Sequence, residues 1–227
     1  MTATADLLVR VSGNTRDVDS KLGRLGSKLG GLGKVAAAGA GVAAVAVGAL
    51  AVKSVMSFAT VDKGMREVFT LMPGISADAM SKMTDDVIGL STKMGVATDQ
   101  VIPALYQAIS AGVPPDNVFT FMETATKASI GGVTDLETAV DGITSVVNAF
   151  GKENIPAAEA SDIMFTAVKL GKTDLGQLSK SLFQVNPIAA ALGVKFGDVA
   201  ASLAVLTAQG VPTSVAAVQV KGALAEL

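Results

Sequence analysis

This 227-residue chain contains no cysteine, no histidine and no tryptophan, and a single tyrosine, Tyr106. Without cysteine and histidine there is no zinc site of the usual kind, no thiolate nucleophile, no disulfide and no Ser-His-Asp triad. Any catalyst would have to be made from Ser, Thr, Lys, Tyr106 or carboxylates, and the S-x-x-K spacing that activates a serine without histidine does not occur. The absence of cysteine is compatible with any redox compartment. Charge is also scarce. Asp, Glu, Lys and Arg make up 17% of the chain, against about 25% in an average soluble protein. The net charge of −2 provides no basic field to draw nucleic acid, so no specific nucleic-acid recognition is expected. Asp6 and Arg10 interrupt the first ten residues, which therefore do not read as a secretion signal.

What the chain does contain is small and apolar. Hydrophobic residues reach 50% while aromatics are only 4%, and mean hydropathy is +0.51. That much apolar surface with so little charge implies cover by a partner or by a membrane. No cofactor, no metal and no enzymatic activity are expected.

Four zones can be read along the sequence. Residues 1–14 form an N-terminal arm in which Leu7, Val9 and Val11 alternate with polar residues, predicting a short strand ended by Ser12-Gly13-Asn14. Residues 15–53 form a second segment. It opens with Val18, Leu22, Leu25, Leu29 and Leu32, spaced 4, 3, 4 and 3 as in a heptad seam. Nearby glycines each cost about 1 kcal/mol of helix propensity, so this helix is expected to need a partner. The segment continues into Val35–Val52, 18 residues without a charge, rich in Ala, Gly and Val. Ala36, Ala40, Ala44 and Gly48 form a small-residue stripe on which helices can approach closely. The readings for 35–52 are a long helix buried in an assembly, a membrane-competent span or a linker. Self-association is assigned to Val18, Leu22, Leu25, Leu29, Leu32, Ala36, Ala40, Ala44 and Gly48.

The last zone, 54–227, reads as an all-α domain of eight or nine short helices. They are expected near 55–71, 77–93, 99–111, 115–130, 135–150, 156–170, 174–192, 197–209 and 213–226, with Pro187 kinking or splitting the seventh. Starts are marked by Thr98-Asp99, Thr134-Asp135 and Thr173-Asp174, the threonine capping and the aspartate suiting the dipole; Thr134 with Glu137 suggests a capping box. Ends are marked by Gly-Val pairs at 95, 112, 132, 193 and 210, with the glycine left-handed and the valine packing back on the last turn. Shifting the chain by 98 aligns Gly95, Val96, Val101, Leu105, Gly112, Val113 and Pro114 with Gly193, Val194, Val199, Leu203, Gly210, Val211 and Pro212. This internal repeat shares turn and core positions and no reactive side chain, which points to a scaffold.

Two motif matches lose to simpler readings. Gly39-Ala40-Gly41-Val42-Ala43-Ala44 matches a dinucleotide fingerprint on paper but follows no strand. Gly171-Lys172-Thr173 resembles the end of a P-loop, yet it follows a helical pattern and reads as one helix ending before the next begins. Asp85-Asp86 is a solvated surface pair, and Met65, Met72, Met80, Met83, Met94 and Met122 are core filler.

The order of these parts carries a resemblance. Strand, Leu/Gly heptad and Ala/Gly tract lead through Ser57-Phe58-Ala59 into a domain holding Gly95-Val96-Ala97-Thr98-Asp99-Gln100-Val101, Ala108–Val113, Ala149-Phe150-Gly151 and Leu206–Val211. This resembles the N-terminal core region of tape measure proteins of tailed bacteriophages. The resemblance implies a structural protein of the virion tail, around which the tail tube assembles, which sets tail length and leaves during genome ejection. Implied partners are itself, as a low-order homo-oligomer around the tail axis, the tail tube protein, tail tip or baseplate proteins, and the host inner membrane at ejection. Implied locations are the virion tail and, during assembly, the host cytoplasm. One continuous helix of this length would span only about 340 Å at 1.5 Å per residue, and the pattern stops mid-course at Leu227, so a piece of a longer protein is expected. The alternative is a membrane-active or pore-forming helical protein using residues 35–52.

Overall fold

The computed structural model describes residues 59–226, which lie within a single unit, Ser57–Leu227. The predicted strand in residues 1–14, the segment 15–53 with all nine self-association residues, and the glycine motif at 39–44 fall outside the described residues. Among the described residues there are ten α-helices, one 3-10 turn and no strand. They are α1 (59–69), α2 (Ala77–Met94), α3 (Thr98–Ser110), α4 (Val118–Gly131), α5 (Leu136–Phe150), α6 (Ala157–Leu170), α7 (Leu175–Leu182), α8 (Asn186–Ala191), α9 (Phe196–Ala208) and α10 (Thr213–Ala225). The 3-10 turn Pro115–Asn117 leads into α4.

α5 is the hub, packing against α3, α4, α6, α7 and α8. Its buried residues Leu136, Ala139, Val140, Gly142, Ile143, Thr144 and Val146 cover more than one face, as a helix with neighbours on several sides requires. α9 and α10 pack against each other and are laid on α6 and α7 respectively. The light composition now has a structural consequence. Buried positions are largely Ala, Val, Leu and Met, and small residues let axes approach where bulkier ones would hold them apart. Met65 and Met122 are fully buried and Met83 nearly so, while Met72 and Met94 pack at the edge of the core.

The seventh predicted helix is two helices. α7 ends at Leu182, residues 183–185 turn, and Pro187 sits in the first turn of α8, where its missing N–H costs no helical bond. The predicted caps need correction. Asp135, not Thr134, caps α5, accepting from Thr138 N–H at 2.7 Å. Asp174, not Thr173, caps α7, accepting from Gln177 N–H at 2.8 Å. α3 starts from Ala97 with no side-chain cap. A carboxylate with two acceptor oxygens outcompetes the neighbouring hydroxyl at α5, where Asp135 also accepts from the Thr138 hydroxyl at 2.8 Å.

The five Gly-Val exits follow one pattern with one exception. Gly95, Gly112, Gly193 and Gly210 have φ of 68°, 91°, 71° and 93°. The N–H of each following valine reaches back five residues, as in Val113 to Ala108 O at 3.0 Å and Val211 to Leu206 O at 3.2 Å. At Gly132-Val133 the expectation fails. Gly132 has φ −90°, Val133 takes the left-handed conformation at φ 51°, and Thr134 N–H makes the closing bond to Ser129 O. Gly132 is needed for a different reason: a Cβ there would stand 2.5 Å from Leu175 Cδ2 and 2.9 Å from Ala128 O. Contact with α7 fixes the glycine one position early and leaves the strained dihedral to a β-branched residue.

Candidate functional site

Among the described residues, many hydroxyl and carboxylate side chains are engaged in local structure. Buried threonines return their hydroxyls to the preceding turn, as Thr126 does to Met122 O at 2.6 Å and Thr144 to Val140 O at 2.7 Å. Glu123 lies between Lys93 of α2 and Lys127 of its own helix, at 2.9 and 2.8 Å. Hydrogen bonds and charge from Lys127, then Lys93, hold its carboxyl down at about 2. For Asp174 the bond from Gln177 N–H is the largest influence and holds the carboxyl below the ordinary range, against partial burial. For Asp135 partial burial is the largest single influence and pushes upward, but the bonds from Thr138 outweigh it. All three are structural carboxylates at helix ends or between helices.

No group of His, Cys, Asp or Glu among the described residues could hold a metal ion. Gly171-Lys172-Thr173 is a helix exit packed on α9, where a Cβ at Gly171 would overlap Thr207 Oγ1 and come within 3.1 Å of Ala204 Cα. It presents no open cradle. Asp85 is exposed and Asp86 half-buried. No helix among the described residues is long and apolar enough to cross a membrane.

The most distinctive surface is one end of the bundle. There α4, α6 and α9 finish and α5, α7 and α10 begin, as several close approaches fix. Gly131 lies against Phe165, Gly132 against Leu175, Gly171 against Thr207, and the Thr173 and Thr213 hydroxyls are 2.7 Å apart. Ile130, Val133, Leu170, Val205 and Val215 remain exposed at this end, Val133 by 92%. Residues 199–220, from α9 through α10, contain no charged residue between Asp198 and Lys221. The helical pattern of the sequence does not single out this surface. Its signal was available, since 22 uncharged residues exceed the 18 of Val35–Val52, but Ala and Val in a helical pattern look the same buried or exposed.

Two pairs of positions 98 apart can be compared at the ends of α3 and α9. The residues flanking α3 and α9 agree, Ala97 at φ −68°, ψ 146° with Lys195 at −72°, 148°, and Ala111 at −77°, 0° with Gln209 at −80°, 0°. Val101, Leu105, Val199 and Leu203 are all buried.

Residues 84–227 match the family described as phage-related minor tail protein. A probable tape measure protein of Clostridium phage phiCD119 is 30% identical over 148 residues, 63% of this chain and 16% of that protein. The tape measure protein of Pneumococcus phage Dp-1 is 21% identical over 154 residues, 68% of this chain and 13% of that protein. The aligned part of this chain thus spans about one sixth or less of either relative. No solved structure matches.

Proposed function

This chain belongs to the phage-related minor tail protein family, and from that premise we propose that it is a tape measure protein, acting as a structural element of the virion tail rather than as a catalyst. The observation that carries the reading is the family match through 84–227, which covers most of the helical unit. That unit is held together by small and aliphatic side chains, with Asp135 and Asp174 as caps and Glu123 paired to Lys93 across two helices. In this reading the protein scaffolds assembly of tail-tube subunits, sets tail length and departs during genome ejection. It is made in the host cytoplasm and resides in the tail lumen or tip, next to tube and tip or baseplate proteins. The segment 15–53, which follows the arm 1–14, supplies self-association around the axis through Val18, Leu22, Leu25, Leu29, Leu32, Ala36, Ala40, Ala44 and Gly48, and 54–227 is the helical core. The assignment is supported by the two relatives, a probable tape measure protein and a tape measure protein.

The test is an epitope inserted between Lys152 and Glu153, in the exposed turn after α5, in the phage that encodes the chain. Tagged protein should co-purify with intact tails at a few copies each, with electron-microscopic label along the tube axis or at its tip. Purified tails without it would remove the reading.

A further inference from the structure

We propose that the groove between α1 and α3 is a docking site for a basic amphipathic helix of a partner polypeptide. The groove has a volume of about 540 Å³. Ile102, Pro103 and Tyr106 of α3 line it, and the only tyrosine of the chain is left 40% exposed there. Three carboxylates stand around it, Glu67 on α1, Asp99 at the start of α3 and Glu137 at the start of α5, and no lysine or arginine is among the described residues that line it. None of the three is in a salt bridge among the described residues, where the ion pairs are Arg66 with Asp62 and Glu123 with Lys93 and Lys127.

The two helices meet closely at the groove, whose lining includes Gly64 and Ile102. A Cβ at Gly64 would come within 2.9 Å of Ile102 Cγ2, so glycine lets α1 sit deep against α3. Pro103 stands inside α3 and is exposed.

Charge selects the occupant. The charge is local to the groove, where Glu67, Asp99 and Glu137 stand, in a chain whose net charge is −2. A negative field over an apolar groove steers and retains cationic partners and repels nucleic acid and anionic lipid. A single metal ion does not fit, because the carboxylates do not converge. The described part of α1 covers residues 59–69, or about 16 Å at 1.5 Å per residue, enough for three turns of a guest helix. An apolar stripe flanked by Lys or Arg matches both features, in the helix-in-groove mode. The proposal stands whether or not the tail assignment holds.

The experiment titrates the full chain into a fluorescent, amidated peptide of roughly 18 residues, with leucine at heptad core positions, lysine flanking them and alanine elsewhere, read by anisotropy. A second peptide carries glutamate in place of every lysine. The lysine peptide should bind, more weakly as salt rises, and the glutamate peptide should not. The E67Q/D99N/E137Q variant should weaken binding about tenfold or more, as expected for lost interfacial charge pairs. A variant of equal net charge altered elsewhere, D78N/D85N/D162N, should stay close to the parent. Tyr106→Lys, which places a cation in the groove, should also weaken binding, with helical circular dichroism reporting that each variant is folded. Failure of the lysine peptide to bind, equal binding of both peptides, or equal loss in the two triple variants would overturn the proposal.

Discussion

Gly142 of α5 and Ser179 of α7 face each other so closely that a Cβ on the glycine would overlap the Ser179 hydroxyl and lie 2.7 Å from its Cβ. Ser179 is 2% exposed and its Oγ has no hydrogen-bond partner. The pair marks a close approach of the hub helix and α7 on that side of the core.

Gly142→Ala should therefore destabilise the unit by about 2 kcal/mol, the usual scale of overpacking. Ser179→Ala removes an unpartnered buried hydroxyl and should be neutral or slightly stabilising. Ser179→Gly should recover part of the Gly142→Ala loss, giving a non-additive double-mutant cycle in urea unfolding. Additive losses would mean that the two residues do not limit the approach.

Gly132 and Val133 should respond in opposite directions. Val133→Gly relieves a left-handed β-branched residue and should raise stability by about 1 kcal/mol, less the added freedom of the unfolded chain. Gly132→Ala meets Leu175 and the Ala128 carbonyl and should lower it by about 1–3 kcal/mol. Thermal melts of the two variants distinguish this arrangement from the more usual one, in which the glycine carries the positive φ.

Gly112→Ala and Gly210→Ala should cost nearly the same, about 1 kcal/mol each. Both residues have φ near 90° and nothing within 4 Å of an added Cβ, so only the dihedral is penalised. A difference well above a few tenths of a kcal/mol in chemical denaturation would show that the two turns are not equivalent.

Acid should weaken the fold through its caps. Asp135, Asp174 and Glu123 are held below their ordinary range in the folded state. Their stabilisation is thus fully present above the unfolded carboxylate range and is lost as pH falls through the folded values, for Glu123 down to about 2. Asp135→Ala should cost about 1 kcal/mol at neutral pH, the usual worth of an N-cap. The gap from the parent should close as the medium becomes acidic. Urea midpoints measured across that range, for this variant and for Glu123→Gln, check the sign.

The sequence by itself determined the elements of the helical unit. Gly-Val exits, Asp and Pro at helix starts and a 3.6-residue apolar period act within one or two turns, so helix boundaries came within a few residues and Pro187 divided the seventh helix. Which residue of Thr134-Asp135 caps, and whether Gly132 or Val133 turns left-handed, were decided by tertiary structure. The first depends on competing acceptors in three dimensions, the second on Leu175 arriving from a helix some forty residues away. The grooves and the exposed apolar end were also invisible. Ala, Val and Leu repeat at one period on every helix, and only the packing of α5 against its neighbours decides which of them are covered. Glu67, Asp99 and Glu137 lie far apart in the chain and come to one groove only because α1, α3 and α5 begin or end beside each other.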